Sequence, residues 1–400
     1  MHLVVTGNRK KAAAYLLAST QGELSLDSQV DRELEHILDE FPVQRKEDLL
    51  DYVERHQQDI LDTAILFSET SGTTGRPLQT PRNSVDINWN THNQSFAYQR
   101  LLSAGSDRVA ILHPGMLSPF VEGSTFALRQ LQVGYVKLFP IEGICDYARI
   151  VDVLARYAIT AIMTTPSLAL KVLHEAARQN ALGRLKVHKL LLTGELISSA
   201  CVDNFKRILG AQCEVHAFVY GASETASLMY GVGDGQYQAF VDDFIFEIVG
   251  GSLQPVSDGE YKVTGPLLVT WLQGGLLPIR RYDTGDLFEI TVRQGRSCVF
   301  KPLGRTRQLG DKARVAQRLE AIIYDAAVPV FNYRVTLSEA DRHCQIQLVA
   351  AEPSIDRQRL LVAVGEVLPE YELALAINDP TDPFLAFAAK PKLNRFIYRD

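Results

Sequence analysis

The sequence predicts an α/β protein with a large N-terminal domain of parallel α/β sheets, an antiparallel β subdomain and a small C-terminal α+β domain. From residue 64 to about residue 220, short apolar runs alternate with stretches of helical period, which is typical of parallel strands covered by helices. From about residue 238 to 300 the helical period disappears, and glycine-containing turns separate short alternating runs, which indicates an antiparallel sheet. The stretch after residue 305 reads helix, strand, strand, helix, strand.

Each element follows from a local pattern. The charged N-terminal stretch predicts helices at Arg32–Leu38 and Glu47–Leu61. The predicted parallel strands are Ala64–Phe67, Val109–Leu112, Tyr135–Phe139, Thr160–Thr164, Lys189–Leu192 and Val215–Val219. The predicted C-terminal elements are a helix at 315–323, strands Val330–Leu337 and Cys344–Ala350, a helix at 360–367 and a strand Leu373–Ile377. We therefore predict a large domain of residues 1–304, with its β-rich subdomain at about 238–300, and a small domain of residues 305–400.

Composition excludes several classes of protein. With 400 residues and 46% hydrophobic residues, the chain can bury a large core, so a disordered protein or a disulfide-stapled miniature is excluded. The net charge of −6 argues against a nucleic-acid partner. No apolar run approaches the roughly 18–20 residues that span a membrane, and the apolar and basic residues at the N-terminus stand in the reverse order of a secretory signal. Five scattered cysteines without a C-x-x-C pair fit reduced thiols, so we expect a soluble, cytoplasmic protein.

The strongest local signal is the polar segment from Ser68 to Pro77, which follows a predicted strand. Glycines allow its backbone to turn tightly and present amide groups, and hydroxyls and Arg76 add donors and charge. Such a loop can wrap a polyphosphate, although composition alone favours an ordinary surface loop. A Walker loop and a dinucleotide fingerprint are both absent, because no G-K-[ST] follows the glycines and no G-x-G-x-x-G opens a helix.

The run Thr70–Pro77 resembles the phosphate loop of the adenylate-forming superfamily, which includes acyl- and aryl-CoA ligases, peptide-synthetase adenylation domains and luciferases. Further segments resemble that superfamily's landmarks in the same order, namely Thr193–Glu195, Tyr220–Thr225, Tyr282–Asp286 and Gly304–Arg305. Upstream, Phe41, Pro42, Lys46, Asp48 and Leu49 resemble the segment before the loop in the phenylacetate-CoA ligase branch. The short chain and its tail also resemble small antibiotic-pathway enzymes that activate phenazine carboxylates.

The resemblance implies ATP and Mg²⁺ as cofactors and gives each landmark a role. The β- and γ-phosphates would be held by Ser71, Gly72, Thr73, Thr74 and Gly75. Glu224 would bind Mg²⁺ through a carboxylate oxygen, with water and phosphate oxygens completing the shell. Tyr220 would stack on the adenine, and its neighbours in the nucleotide site would be Gly194, Glu195, Gly221 and Ser223. Asp286 would accept hydrogen bonds from the ribose, and Arg305 would reach the ribose or the α-phosphate.

The tail departs from the superfamily's pattern. The resemblance implies a catalytic lysine near the C-terminus in a P-R-x-x-x-G-K-like segment, but aligning on Pro391 places Phe396 at or beside that lysine. Lys390, Lys392 and Arg395 are the candidates to replace it, with Lys392 favoured, and solvated tail charges are an equally good interpretation. In the superfamily the small domain is mobile and rotates between the two half-reactions, and the hinge here also lacks the usual acidic residue after Gly-Arg. The thioester-forming half-reaction is therefore the less secure one.

By its position in the superfamily, the acid pocket involves His113, Met116, Phe120, Ala222 and Ala226. Small residues leave space there, and apolar walls suit an aromatic or extended acid. His113 is a candidate contact for the carboxylate, although a lone histidine at a strand end is more often structural.

We therefore expect activation of a carboxylic acid, preferably aromatic, to an acyl-adenylate with release of pyrophosphate. CoA or an acyl carrier protein is the implied acceptor, and the oligomeric state is open. Two alternatives remain: a nucleotide- and acid-binding homologue with impaired catalysis, and an adenylating enzyme that forms no thioester.

Overall fold

A computed structural model describes residues 2–18, 34–70, 76–257, 259–293, 297–306, 311–325, 328–351, 355–379, 381–385 and 395–399. The helices in these ranges are α1 (Arg9–Ala18), α2 (Leu34–Asp39), α3 (Lys46–Arg55), α4 (Gln57–Thr63), α5 (Ser84–Gln99), α6 (Pro119–Gln130), α7 (Tyr147–Arg156), α8 (Pro166–Arg178), α9 (Ser199–Leu209), α10 (Asp311–Tyr324) and α11 (Arg357–Val367). Short 3₁₀ helices occupy Leu182–Arg184 and Pro383–Leu385.

The strands alternate with these helices and then dominate the middle of the chain. Up to residue 222 they are β1 (His2–Val5), β2 (Arg108–Leu112), β3 (Gly134–Leu138), β4 (Ala161–Thr164), β5 (Lys189–Leu192), β6 (Glu214–Ala217) and β7 (Val219–Ala222). The later strands are β8 (Ala226–Gly233), β9 (Gln236–Ala239), β10 (Phe244–Val249), β11 (Ser252–Ser257), β12 (Glu260–Trp271), β13 (Tyr282–Arg293), β14 (Ser297–Arg305), β15 (Val330–Ser338), β16 (His343–Ala350), β17 (Glu372–Ile377) and β18 (Phe396–Arg399).

The chain forms two compact units. The first unit comprises Met1–Leu101, Leu117–Gln130 and Val219–Gln308, and the second comprises Leu102–Met116, Leu131–Phe218 and Leu309–Asp400. Each unit is therefore assembled from separate stretches of the chain. The division into a large domain and a C-terminal lid at residue 304 stays a prediction.

The first unit is built around an antiparallel sheet. Within the described ranges its strands are ordered β1-β10-β12-β13-β14-β9-β8-β7, and β11 pairs with the free end of β12. Helices α1 and α2 pack apolar side chains, among them Leu16 and Ile37, against Ile245 of β10. The alternation read from residues 238–300 thus corresponds to antiparallel pairing. Burial alternates in parts of β12 and β13, as expected for a sheet with one covered face, whereas β10 is buried along most of its length.

A buried ion pair fixes the N-terminal segment to this sheet. Arg281 is 5% exposed and Glu247 is fully buried, and the Arg281 Nε lies 3.1 and 3.3 Å from the two Glu247 carboxylate oxygens. The Arg281 Nη1 donates to the carbonyls of Leu38 at 2.9 Å and Phe41 at 2.8 Å, at the end of α2. The His2 ring adds a contact of 3.0 Å to Glu247. Each charge is thus paired and bonded, as a buried ion pair requires.

The second unit contains two sheets. A parallel sheet is ordered β3-β2-β4-β5-β6, with α7, α8 and α9 in the connections between its strands. A second sheet of the described residues is ordered β17-β16-β15-β18, with α10 and α11 beside it in sequence. The amide of Asn204 on α9 bonds both backbone groups of Val330, at 2.7 and 2.9 Å, which ties the two sheets' elements together. The predicted fold class, parallel α/β with an antiparallel subdomain and a C-terminal α+β part, is confirmed.

Several predicted strand positions need correction. The predicted strand Ala64–Phe67 is wrong: this stretch forms only an isolated bridge from Leu66 to Arg82, and Ile65 and Phe67 are 66% and 55% exposed. Its apolar residues therefore do not reflect burial in a sheet. The predicted strand Val215–Val219 divides at Phe218, where the chain leaves the parallel sheet after β6 and enters the antiparallel sheet as β7.

Two further findings concern membrane-spanning helices and the cysteines. Within the described ranges, no helix combines the length and the apolar character that crossing a membrane requires. The five cysteines are free thiols, as the scattered spacing predicted.

Candidate active site

The ends of the predicted phosphate loop are fastened together in the first unit. The Thr70 N–H donates to the Leu78 carbonyl, and the Leu78 N–H donates to the Thr70 hydroxyl, both at 2.9 Å. Below them the Thr80 N–H donates to the Ser68 carbonyl at 2.7 Å, and the two hydroxyls of these residues lie 3.0 Å apart. We call residues 68–70 and 78–80 the neck of the loop. The predicted phosphate ligands Ser71, Gly72, Thr73, Thr74 and Gly75 lie outside the described residues, so their role stays a prediction.

Helix α3 contacts the residue that follows the glycines. The Lys46 ammonium donates to the Arg76 carbonyl at 3.1 Å, and the Arg76 guanidinium pairs with Glu54. At the start of this helix the Arg45 N–H donates to the Asp48 carboxylate at 2.7 Å. The negative charge of Asp48 also interacts favourably with the positive end of the helix dipole. The upstream segment read from the sequence therefore supports the loop physically. The sequence did not show that Lys46 would reach the Arg76 backbone.

Asp286 forms the centre of the best-defined part of the site. Its Oδ2 accepts a hydrogen bond of 2.7 Å from the Tyr220 hydroxyl, and its Oδ1 lies 3.2 Å from the Arg305 Nε. Neighbouring strands explain the second contact, because Asp286 on β13 stands opposite Arg305 on β14. Asp286 is 20% exposed and Arg305 is 65% exposed, so a ligand has access to both. Burial first, and then the Asp286 charge, raise the pKa of Tyr220 well above its ordinary value, so its hydroxyl remains a donor.

A tight turn sets the approach to Asp286. The Gly285 N–H donates to the Asp283 side chain at 2.8 Å, and Gly285 has a φ of +70°, which favours glycine. The Thr284 hydroxyl is anchored on the Leu267 carbonyl at 2.9 Å, and the Arg305 Nη1 donates to the Thr284 carbonyl at 3.2 Å. The T-G-D sequence thus forms a turn, and this turn orients the side chain of Asp286.

Glu224 lies in the turn between β7 and β8. Its Oε1 accepts a hydrogen bond of 2.7 Å from the buried Tyr282 hydroxyl, and the buried Arg82 guanidinium donates to the carbonyl of the preceding Ser223. Burial lowers the pKa of Arg82, and the carboxylates of Asp86 and Glu224 oppose that shift. A cation and a hydroxyl therefore hold the Glu224 turn in place.

The same turn requires glycine at residue 221. A β-carbon there would lie 2.0 Å from the Ala226 carbonyl oxygen, so no larger residue fits. Ala226 itself has a φ of +60°, an unusual conformation for a residue with a side chain. Ala222 is exposed, whereas Ala226 and Phe120 are half-buried. Gly221 therefore has a structural role whether or not it touches a nucleotide.

The predicted residues of the second unit lie at the carboxyl ends of its parallel strands. Gly194 follows β5 with a φ of +78°, and the Glu195 Oε2 accepts hydrogen bonds from the Ser167 hydroxyl at 2.7 Å and the Ser167 N–H at 3.2 Å. Ser167 stands in the first turn of α8, so Glu195 caps this helix, where a negative charge is favourable. The His113 ring and the backbone of Gly115 are hydrogen-bonded within the loop after β2, and Met116 is 67% exposed.

The tail contributes Arg395 to this unit. The Arg395 Nη2 lies 3.4 Å from the Ser167 hydroxyl, its Nη1 lies 3.6 Å from the Glu320 Oε1, and its Cζ lies 4.9 Å from the centre of the Tyr333 ring. Burial alone would lower the pKa of Arg395, but its tyrosine and glutamate neighbours raise that pKa well above its ordinary value. Lys390 and Lys392 lie outside the described residues, so the preference for Lys392 stays a prediction.

Solved structures of several enzymes resemble this fold. A 2-hydroxyisobutyryl-CoA ligase in the postadenylation state, in complex with 2-HIB-AMP, has a similar structure, with a TM-score of 0.71, 16% identity, and coverage of 98% of this chain and 88% of that chain. An acyl acid amido synthetase in complex with 2,4-DB gives a TM-score of 0.65 at 12% identity, covering 99% and 92%. A benzoate CoA ligase from Burkholderia xenovorans LB400 gives 0.53 at 13% identity, covering 82% and 67%.

At these identities the structural likeness shows the fold alone. No curated protein matches the sequence. A family model described as "AMP-binding enzyme" matches residues 3–261, which is more than half of the chain. The protein therefore belongs to the AMP-binding enzyme family, the adenylate-forming enzymes.

Proposed function

We propose that the protein uses Mg·ATP to activate an aromatic carboxylic acid as its acyl-adenylate and releases pyrophosphate. The observation that carries this proposal is the Tyr220–Asp286–Arg305 constellation, in which an accessible carboxylate is held between a hydroxyl and a guanidinium. An ionised carboxylate has about four acceptor positions on its two oxygens, so Asp286 can accept ribose hydroxyls beside its present partners. Arg305, which is mostly exposed, can turn toward a phosphate oxygen.

Glu224 is the residue on which the proposed need for Mg²⁺ rests. The described residues contain no group of three or more His, Cys, Asp or Glu side chains that could form a metal cage. Mg²⁺ suits this arrangement because it is usually held by one or two carboxylates, with waters and substrate phosphates as the other ligands. Glu224 would supply that carboxylate, and the metal would neutralise charge on the phosphates. Tyr282 and the Arg82-bound turn would keep the carboxylate oriented.

The chemical step needs alignment more than covalent chemistry from the protein. The acid's carboxylate oxygen attacks the α-phosphorus, that P–O bond forms, and the bond to the leaving pyrophosphate breaks. The loop at 71–75, Arg305 and a tail cation such as Lys392 would bind the negative charge that moves onto pyrophosphate. In the family the small domain moves between half-reactions, and we assign that lid function to residues 305–400.

The substrate and acceptor are the finer parts of the proposal. By the family's pattern, the apolar Met116 and Phe120 and the small Ala222 and Ala226 would line the acid pocket, which favours a flat acid such as a benzoate or a phenazine carboxylate, with His113 as a candidate carboxylate contact. CoA or a carrier-protein thiol is the first choice of acceptor. Adenylation without a thioester is the second choice, because an acyl acid amido synthetase has a similar fold over 99% of the chain. We place the reaction in the cytoplasm, where five free thiols stay reduced.

Pyrophosphate exchange tests the proposal. Labelled pyrophosphate should enter ATP only when the correct acid and Mg²⁺ are present, and a panel of aryl and aliphatic acids identifies that acid. Adding CoA, a carrier protein or an amine and following acid-dependent product then identifies the acceptor. ATP binding without exchange across the whole panel would instead support the homologue with impaired catalysis.

Substitution of the proposed metal ligand sharpens this test. Glu224→Gln removes the charge and keeps the shape, so exchange should fall by roughly 10²–10³-fold, by analogy with the loss of one stabilising donor from an oxyanion hole. Glu142→Gln, a substitution of an exposed carboxylate, is the matched control and should exchange normally. Equal rates in the two variants would refute the role of Glu224.

A further inference from the structure

The guanidinium of Arg395 lies in a confined, charged environment at one edge of the parallel sheet. Its side chain is only 10% exposed, and it approaches the Ser167 hydroxyl at 3.4 Å and the Glu320 carboxylate at 3.6 Å. Ser167 follows β4, and Glu195 follows β5, so both stand at the carboxyl ends of parallel strands. Ligands of open α/β sheets bind along that edge. Arg395 therefore lies where this unit is expected to meet a substrate.

Arg395 and Glu195 share one hydroxyl. The Ser167 Oγ donates to the Glu195 Oε2 at 2.7 Å and can accept from the Arg395 Nη2 at 3.4 Å. A chain of bonds thus runs from the tail, through the first turn of α8, to the T-G-E segment. Movement of Arg395 can therefore alter the hydrogen bonding of Glu195, which the family resemblance places at the nucleotide.

This chain of bonds is incomplete. Among the described residues, the buried Arg395 Nε and the buried Glu195 Oε1 have no hydrogen-bond partner. A buried polar group without a partner costs about 1–3 kcal/mol, and a charged one costs more. Sites that depart from the best local solution in this way are commonly functional. Stabilising the fold therefore does not by itself explain this cluster.

Backbone pairing already secures the strand that Arg395 precedes. Strand β18 runs parallel to β15, with Phe396 opposite Val335 and Arg399 opposite Ser338. The Val335 N–H also donates to the Arg395 carbonyl at 2.8 Å. The backbone thus holds the strand without the guanidinium, which leaves the side chain of Arg395 to act on its neighbours.

We propose that Arg395 is a positioning residue for the adenylation reaction, which holds Glu195 in place through Ser167 at the ligand edge of the parallel sheet. The inference rests on the proposed function and adds a residue that the motif search did not favour. Arg395 would affect the binding of ATP through Glu195. Other groups, which touch the substrate, would carry out the chemical step.

The test separates binding from chemistry. In pyrophosphate exchange, Arg395→Gln should raise the KM for ATP about tenfold, with kcat changed less than about threefold, and Arg395→Lys should recover part of the loss because it restores the charge. Arg399→Gln removes an exposed arginine from the adjoining strand β18 and should behave as wild type. An unchanged KM for ATP in Arg395→Gln, or a fall in kcat alone, would overturn the inference.

A second comparison tests the route through Glu195. Glu195→Gln should raise the KM for ATP to a similar extent, and the variant with both substitutions should be no worse than the poorer single variant, because each removes the same arrangement. Effects that multiply would show that the two residues act independently and would overturn the inference.

A readout without turnover separates this inference from the proposed function. Hydrogen exchange of the peptide covering residues 193–198 should be faster in Arg395→Gln than in Arg399→Gln, and equal rates would overturn the inference. If wild-type protein exchanges no pyrophosphate with any acid, the proposed function fails, yet this measurement still reports whether Arg395 holds the segment. Should Arg395→Gln not fold, the same comparison is made with Arg395→Lys.

Discussion

Two buried arginine clusters, one in each unit, are bonded very differently. Arg281 of the first unit has a bonded partner for each part of its guanidinium: Glu247, two backbone carbonyls and the Asp39 carboxylate at 3.5 Å. Arg395 of the second unit makes longer contacts, and its Nε has no partner within the described ranges. The complete hydrogen bonding of Arg281 indicates that its cluster stabilises the fold. The incomplete hydrogen bonding of Arg395, at the carboxyl ends of the parallel strands, fits the functional role proposed for its cluster.

The comparison predicts its largest effect at Arg281. Arg281→Met leaves the fully buried Glu247 without its main counter-charge, so the free energy of unfolding should fall by about 3–5 kcal/mol. Urea denaturation measures this loss. Adding Glu247→Leu removes the stranded charge and should recover most of the stability. Arg395→Gln, measured in the same way, should lose clearly less, and an equal loss would break the comparison.

Lys171 extends the comparison to a cation packed against aromatic rings. It is 4% exposed on α8, lies 5.3 Å from the Tyr147 ring centre and 5.2 Å from that of Phe384, and burial lowers its pKa to about 8. Between pH 8 and about pH 10.5 the unfolded chain binds more protons than the folded chain, so stability should rise with pH in this window, by up to about 3 kcal/mol.

Lys171→Met is the variant that checks this pH dependence. Unfolding measured across the pH window should show the rise attributable to Lys171 in the wild type and lose it in the variant. The difference between the two proteins is the quantity of interest, because other groups titrate equally in both. A constant difference from pH 8 to pH 10.5 would contradict the lowered pKa.

Asp286 tests whether an accessible charged cluster acts on ligands, in contrast to Arg281. Asp286→Ala removes a charged acceptor for ribose hydroxyls, at about 1.5–3 kcal/mol, so the KM for ATP should rise roughly ten- to hundredfold. Asp203→Ala, which removes an exposed carboxylate on α9, is the control. A loss of stability without a change in KM would place Asp286 with Arg281 in the framework.

The smallest effect is expected at Tyr282. Tyr282→Phe removes only the hydroxyl that donates to Glu224 at 2.7 Å, which is worth about 1 kcal/mol, so the Mg²⁺ concentration for half-maximal exchange should rise about fivefold. Tyr230→Phe is a matched control, because its hydroxyl donates at the same distance to the neutral Gln238. Identical Mg²⁺ dependence in both variants would show that Tyr282 does not support Mg²⁺ binding through Glu224.

Much of the fold could be predicted because the patterns are local. The strands β2, β4 and β5 begin or end within a residue of the apolar runs that predicted them, since a fully buried parallel strand reads as an uninterrupted apolar run. The segment at Ala64–Phe67 has the same composition and forms no strand, because pairing depends on a neighbour that the run itself does not specify. The short strands β1 and β18 were missed for the same reason: β1 pairs with β10, whose residues lie more than two hundred positions away.

The candidate site was predicted in part. The order of the motifs singled out Asp286, Arg305 and Glu224, whose roles stay predictions. The Tyr220 contact with Asp286 joins residues 66 positions apart that no local pattern connects. Arg395 illustrates the limit most clearly. A charged tail residue is usually solvated, and only the packing of β18 against β15 shows that this one is enclosed.

The neck of the phosphate loop has a consequence for engineering. Its hydrogen bonds join residues 68–70 to residues 78–80. These bonds offset the conformational entropy lost on closing the loop, and none of them involves residues 71–75. If residues 71–75 bind the β- and γ-phosphates as proposed, a library that randomises these five residues should vary in turnover, with melting temperatures nearly constant. Because every nucleoside triphosphate carries the same phosphates, such a library would test phosphate binding and leave the recognition of the base to other residues.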